Sequence, residues 1–79
     1  MEAAFQRLAR VAAARYRRDA GALRPEDDIF LALDIDSVEA LELVSALELE
    51  FGVEIPDHEL LSVRTLGQLA AVLEGRTIR

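Results

Sequence analysis

Apolar residues recur at steps of three and four along the start of the chain: Phe5, Leu8, Val11 or Ala12, and Tyr16, with alanines between them and arginines on other faces. That spacing predicts an amphipathic helix from about residue 2 to residue 18. Its expected end is Asp19-Ala20-Gly21, where glycine can take the left-handed conformation that closes helices. Periodicity then lapses. Residues 19–36 run through Pro25 and Glu26-Asp27-Asp28 to Ile29-Phe30-Leu31 and Leu33. Compact domains usually connect elements with about 4–6 residues, so a loop this long with this many apolar side chains is expected to be pinned across the helices as an ordered strap.

The second periodic stretch is Val38, Leu41, Val44, Leu47 and Phe51, with glutamates elsewhere on the wheel, and it predicts a helix over about 37–51 stopped by Gly52. Asp36 with Glu39 three residues on is a capping-box pattern, with Asp in the Ser/Thr place, which puts Ser37 at the first helical position. Pro56-Asp57 opens a short third helix, about 57–61, because proline is welcome in a first turn. Thr65 and Gln68 form a second box ahead of Leu66, Leu69, Ala70, Val72 and Leu73, which predicts a last helix over about 66–74 with Gly75 as terminator. The expected core is Leu41, Val44, Leu47, Phe51, Ile55, Leu66, Leu69 and Leu73. The fold class is all-α: a small four-helix bundle of three main helices and one short one, in a single domain over residues 1–79, without strands, repeats or low-complexity tracts.

Composition narrows the chemistry. Seventy-nine residues leave room for one small core. With no cysteine there is no disulfide, thiolate metal site or cysteine nucleophile, and a single histidine excludes His-rich zinc constellations. That histidine, His58, lacks the second group that acid–base catalysis needs and reads as a surface residue. Neither catalytic residues nor metal ligands are expected. A formal charge of −6 argues against nucleic acid and anionic lipid, which recruit lysine and arginine.

No stretch approaches the roughly 20 apolar residues of a membrane span. Met1-Glu2-Ala3-Ala4-Phe5-Gln6-Arg7 lacks the order of a secretion signal, so a cytoplasmic protein is expected.

The charge is unevenly placed. Residues 1–24 sum to +4 and residues 60–79 to +2, whereas 26–59 carry twelve acids and no arginine, a sum of −12. All nine basic residues of the chain are arginine. The acidic segment is also rich in Leu, Val, Ile and Phe, so it must fold rather than trail as a solvated tail.

Ser37 lies in that segment. If Asp36 takes the capping duty, the Ser37 hydroxyl projects from a helix start, where unpaired N–H groups and the positive end of the helix dipole favour phosphate. Such a hydroxyl suits a phosphodiester attachment. Asp-Ser at a helix start is also ordinary capping, and local physics alone leaves both readings open.

The run Leu33-Asp34-Ile35-Asp36-Ser37-Val38-Glu39-Ala40-Leu41-Glu42-Leu43-Val44, followed by Leu47-Glu48 and Glu50-Phe51-Gly52-Val53-Glu54-Ile55-Pro56-Asp57, resembles the acyl carrier protein family. That family has Asp-Ser-Leu at the start of its second helix and a Phe-x-x-x-Ile-Pro-Asp run leading into a short third helix. The resemblance covers essentially the whole chain, in length and order of elements. It implies a carrier and not an enzyme. A phosphopantetheinyl transferase would move 4′-phosphopantetheine from coenzyme A onto Ser37, flanked by Asp36, and the arm's thiol would carry acyl groups as thioesters. The missing cysteine is compatible with a borrowed thiol.

By position, the resemblance makes Asp36, Glu39, Glu42 and Glu48 acids shown to basic docking grooves, with Val38 as an exposed apolar contact. For each acid the competing reading is a solvated helix face. The implied partners are the transferase and acyl-processing enzymes, whether synthase, transferase or adenylating ligase, with the carrier a monomer. Departures from the family pattern are Asp34 for the usual glycine, Val38 for leucine, Ser45 for a larger apolar residue, Leu49 among the acids, and the basic first helix. The resemblance implies a carrier of fatty acyl, polyketide or specialised lipid intermediates. The departures weigh against a housekeeping fatty-acid role and for a specialised free-standing carrier of a polyketide, a modified lipid or an amino acid. An aminoacyl or peptidyl carrier is the alternative, and an unmodified acidic interaction module the rival from another class.

Overall fold

The computed structural model describes residues 3–76, so the expected start at Glu2 and the charge of Arg79 lie outside the described residues. Helix α1 spans Ala4–Tyr16, α2 Ile29–Leu33, α3 Ser37–Phe51, α4 Asp57–Leu60 and α5 Leu66–Arg76. No strand occurs among the described residues, only an isolated antiparallel bridge between Asp28 and Thr65. The all-α bundle expected from the sequence is the architecture observed, with one additional short helix, α2, inside the long connection.

Helix α1 buries Leu8 together with Ala9, Ala12 and Ala13, while Phe5, Val11 and Tyr16 flank this seam half-buried. An alanine-lined seam lets backbones approach closely, and α1 packs chiefly along α5, which buries Leu66, Leu69, Ala70 and Leu73. Burying a leucine side chain contributes about 1.5–3 kcal/mol. The fully buried leucines Leu8, Leu33, Leu43, Leu47, Leu66, Leu69 and Leu73 therefore carry most of the hydrophobic stabilisation.

Helix α1 ends earlier than Gly21. Arg17 takes the left-handed conformation (φ 57°, ψ 48°), with its own N–H and that of Arg18 donating to the Ala13 carbonyl. Asp19 then caps a separate 3-10 turn, Ala20–Ala22, by accepting from Gly21 N at 2.9 Å, so the α-helix must close before it. Gly75 likewise does not terminate α5, which runs to Arg76. The Arg76 guanidinium is paired with Glu59 of α4, and that tertiary tie holds the last turn.

The long connection is the strap the apolar residues predicted. Asp28 caps α2, its Oδ1 accepting from Phe30 N at 2.9 Å and Leu31 N at 3.1 Å. Ile29 N donates to the Arg64 carbonyl at 2.9 Å, Leu66 N to Asp27 at 3.0 Å, and Gly67 N to Pro25 at 2.7 Å, which fastens the strap onto the start of α5. At Gly67 a Cβ would lie 2.9 Å from both the Pro25 Cβ and its carbonyl oxygen, so glycine is required by close approach.

The buried face of α3 departs from the expected stripe. Leu43 and Leu47 are buried, Ala40, Val44 and Phe51 half-buried, and Leu41 is 58% exposed. Apolar residues occupy nearly every side of this helix, so periodicity alone pointed to a face about one position away from the one that packs.

Candidate functional site at the start of α3

The chain enters α3 through a complete capping box. Asp36 Oδ1 accepts from Glu39 N at 2.9 Å, and Glu39 Oε1 accepts from Asp36 N at 3.2 Å. Asp36 therefore satisfies the orphan backbone donor that Ser37 would otherwise serve. Ser37 is exposed, and among the described residues its hydroxyl makes no hydrogen bond. A free hydroxyl at a helix start, facing the positive end of the dipole, can hold a phosphodiester without breaking any existing contact. The residues present thus fit a phosphopantetheine arm, with Ser37 as the atom donor and the first turn of α3 beside it.

Ser37 sits on the wall of a half-open cavity of about 480 Å³ bounded by α2, α3, α4 and the start of α5. The cavity walls are mostly apolar, with Phe30, Leu43, Val44, Leu60, Val63 and Leu69 among them. The polar groups besides Ser37 are Asp57 and Arg64, both exposed residues. Helix α2 supplies part of this wall, and it was not foreseen. The signal for it was present: Asp28 as a cap in front of Ile29-Phe30-Leu31.

The expected recognition residues do not all share one surface. Val38, 65% exposed, and Leu41 lie outward on the first turns of α3 near Ser37, and Asp36 and Glu39 are exposed beside them. Glu42 is exposed one turn on, and its Oε1 lies 4.0 Å from an Arg15 guanidinium nitrogen. Glu48 is set apart: half-buried, its Oε2 accepts from Ile55 N at 2.7 Å and pins the segment between α3 and α4. Leu41 was expected in the core and not at the surface.

Arginines of α1 and of the segment just after it reach these acids and the helix ends. The Arg7 guanidinium lies 4.1 Å over the Phe51 ring, donates to the Glu50 carbonyl at 2.9 Å and pairs with the Glu50 carboxylate at 3.7 Å. Arg18 donates to the Leu33 carbonyl at 3.3 Å and lies 4.0 Å from Asp34. Both cap helix C-termini, where cations are favoured. Tyr16 donates from its hydroxyl to the Glu39 carbonyl at 3.0 Å, which anchors the end of α1 against the first turns of α3.

The described residues form a bundle of three longer helices and two short ones, with an unengaged serine at a helix start beside an apolar cavity, which is the arrangement of a small helical carrier domain. Comparison with known proteins agrees in detail. Residues 6–73 match the family model described as "Phosphopantetheine attachment site". Relatives named acyl carrier protein include one from Helicobacter hepaticus, 34% identical over 90% of this chain and 93% of its own length. Another, from Helicobacter pylori strain G27, is 35% identical over 96% of this chain and 97% of its own. A third, from Picosynechococcus, is 36% identical over 75% of this chain and 73% of its own.

The chain belongs to the acyl carrier protein family. It is accordingly a carrier protein, a substrate and partner of enzymes, with covalently bound 4′-phosphopantetheine as its prosthetic group. Membership brings interaction with a phosphopantetheinyl transferase and with acyl-processing enzymes. No helix among the described residues is long and apolar enough to cross a membrane.

Proposed function

We propose that Ser37 is the attachment residue, and that the protein carries an apolar acyl chain between enzymes of a specialised lipid, fatty acid or polyketide pathway. The observation that carries the first part is the division of labour at the start of α3: Asp36 does the capping, and the Ser37 hydroxyl is left exposed and unbonded. Ser37 Oγ attacks the phosphorus that bears pantetheine in coenzyme A and forms a phosphodiester. The adenosine 3′,5′-bisphosphate half leaves, and the hydroxyl proton passes to the transferase. When attached, the group supplies the thiol on which acyl chains travel as thioesters.

The cavity beside Ser37 favours an acyl over an aminoacyl cargo. Its apolar walls gain by excluding water against a hydrocarbon chain at about 25 cal/mol per Å² buried, whereas a charged ammonium group there would be desolvated without a matching network. The recognition surface we assign to α3 is Asp36 and Glu39 with Val38 and Leu41, all exposed around Ser37. Docking through a few exposed charges and apolar contacts is weak and readily reversed, as a shuttle requires.

The test is incubation of the apo protein with coenzyme A and a broad-specificity phosphopantetheinyl transferase, followed by intact mass. One phosphopantetheinyl increment on wild type, none on Ser37→Ala, and wild-type gain on Ser45→Ala and Ser62→Ala are expected. Equal gain by Ser37→Ala refutes the assignment. For the cargo, octanoyl- and glycyl-loaded forms are compared by thermal denaturation, and only the octanoyl form is expected to melt above the holo form.

A further inference from the structure

Five acids at or beside α3 fall into two sets that composition cannot separate. Asp34, Glu42 and Glu50 each lie within ion-pair distance of an arginine from the first part of the chain, Arg18, Arg15 and Arg7 respectively. Asp36 and Glu39 are exposed, and among the described residues no arginine pairs with either. Their carboxylates are bonded only to each other's backbone N–H, which leaves the charge intact. Partial neutralisation thus stops one turn short of Ser37.

We propose that Arg7, Arg15 and Arg18 are specificity determinants for docking: they compete from within the molecule for the outlying acids and leave Asp36 and Glu39 as the uncompensated charge at the start of α3. The partner that fits is an enzyme with a compact basic cluster opposite Asp36 and Glu39, flanked by an apolar surface for Val38 and Leu41. An enzyme that grips the length of α3 with a row of basic side chains must first displace Arg15 from Glu42, and that displacement weakens it relative to the compact binder. Arg15 is held for this task by position. It stands next to Tyr16, whose hydroxyl bond to the Glu39 carbonyl fixes the end of α1 against α3, and its guanidinium lies 5.9 Å from the Tyr16 ring.

This inference rests on the carrier reading, and the experiment keeps the two apart. The apo protein and its variants are assayed for kcat and KM at low and high salt with a phosphopantetheinyl transferase of the extended class, one whose carrier-binding groove presents a row of basic side chains along α3. Folding of each variant is confirmed by circular dichroism. Exposed ion pairs are worth little individually, so freeing Glu42 by Arg15→Gln is expected to lower KM about two- to fivefold and to steepen its salt dependence, with kcat unchanged. Glu39→Gln is expected to raise KM in the wild-type background, where Glu42→Gln changes it by less than about twofold. In the Arg15→Gln background, Glu42→Gln restores the wild-type KM.

If Glu42→Gln raises KM as much as Glu39→Gln in wild type, or if Arg15→Gln leaves KM and its salt dependence unmoved, the masking role is overturned while the carrier reading stands. If no variant that retains Ser37 gains mass, or Ser37→Ala gains it, the carrier reading fails and the inference with it.

Discussion

Gly67 and Gly75 lie in the same helix and predict opposite outcomes for the same substitution. In Gly67→Ala the new Cβ meets the Pro25 Cβ and carbonyl oxygen at 2.9 Å and the carbonyl carbon at 3.3 Å. These are mostly backbone atoms of the strap, so relief requires the strap to move. Overpacking of this kind costs about 1–3 kcal/mol. Movement also stretches the Gly67 N to Pro25 bond of 2.7 Å, and such a bond contributes about 0.5–1.5 kcal/mol net. Against this, alanine improves helix propensity over glycine by at most about 1 kcal/mol. The net expectation is a loss of about 1–2 kcal/mol, or roughly 5–15 °C in Tm for a domain of this size.

Gly75→Ala has nothing within 4 Å of its new methyl and gains propensity alone, so a stabilisation of up to about 1 kcal/mol is expected, less where the last turn frays. Thermal and urea unfolding followed by circular dichroism at 222 nm, the helix band, measures both. If Gly67→Ala is as stabilising as Gly75→Ala, the strap does not dock on α5 as described.

Three further substitutions test other parts of the structure. Asp34 holds a left-handed conformation (φ 55°) at the end of α2, and only its 4.0 Å pair with Arg18 opposes replacement. Asp34→Gly is therefore expected to be neutral or stabilising by up to about 1 kcal/mol, and Asp34→Val destabilising by about 1–2 kcal/mol in chemical denaturation. Leu43→Ala is expected to cost about 2–5 kcal/mol and Leu41→Ala less than about 1 kcal/mol. Equal losses would mean that α3 packs on a different face. Glu48→Ala leaves the Ile55 N–H without its acceptor and should cost about 1–2 kcal/mol, whereas Glu48→Gln retains an acceptor oxygen and should cost less. A larger effect of either on transferase KM than on stability would return Glu48 to the docking surface.

Much of the fold and the candidate site was legible because its signals are local. The two capping boxes, Asp36 with Glu39 and Thr65 with Gln68, act over three residues, and both form where the sequence places them. Gly52 closes α3 in the left-handed conformation (φ 69°) because the strain of any other residue there is a property of the residue itself. The same locality made Ser37 visible as a serine released from capping.

What the tertiary structure alone decided involves partners distant in sequence. Leu41, Leu43, Val44 and Leu47 are all apolar, so hydrophobicity could not rank them. Packing against the other helices buried Leu43 and exposed Leu41. Gly21 is a better left-handed residue than Arg17, yet Arg17 ends α1, and Asp19 is left to cap its own turn beyond it. The pairing of Arg7, Arg15 and Arg18 with Glu50, Glu42 and Asp34 spans separations of 16 to 43 residues that no helical period encodes. Local backbone preferences and caps are written residue by residue, whereas burial and charge pairing depend on which surfaces meet. The sequence alone therefore placed the candidate serine, Ser37, and its acidic surroundings, and the packing of α1 against α3 decided which of those acids lie beside an arginine.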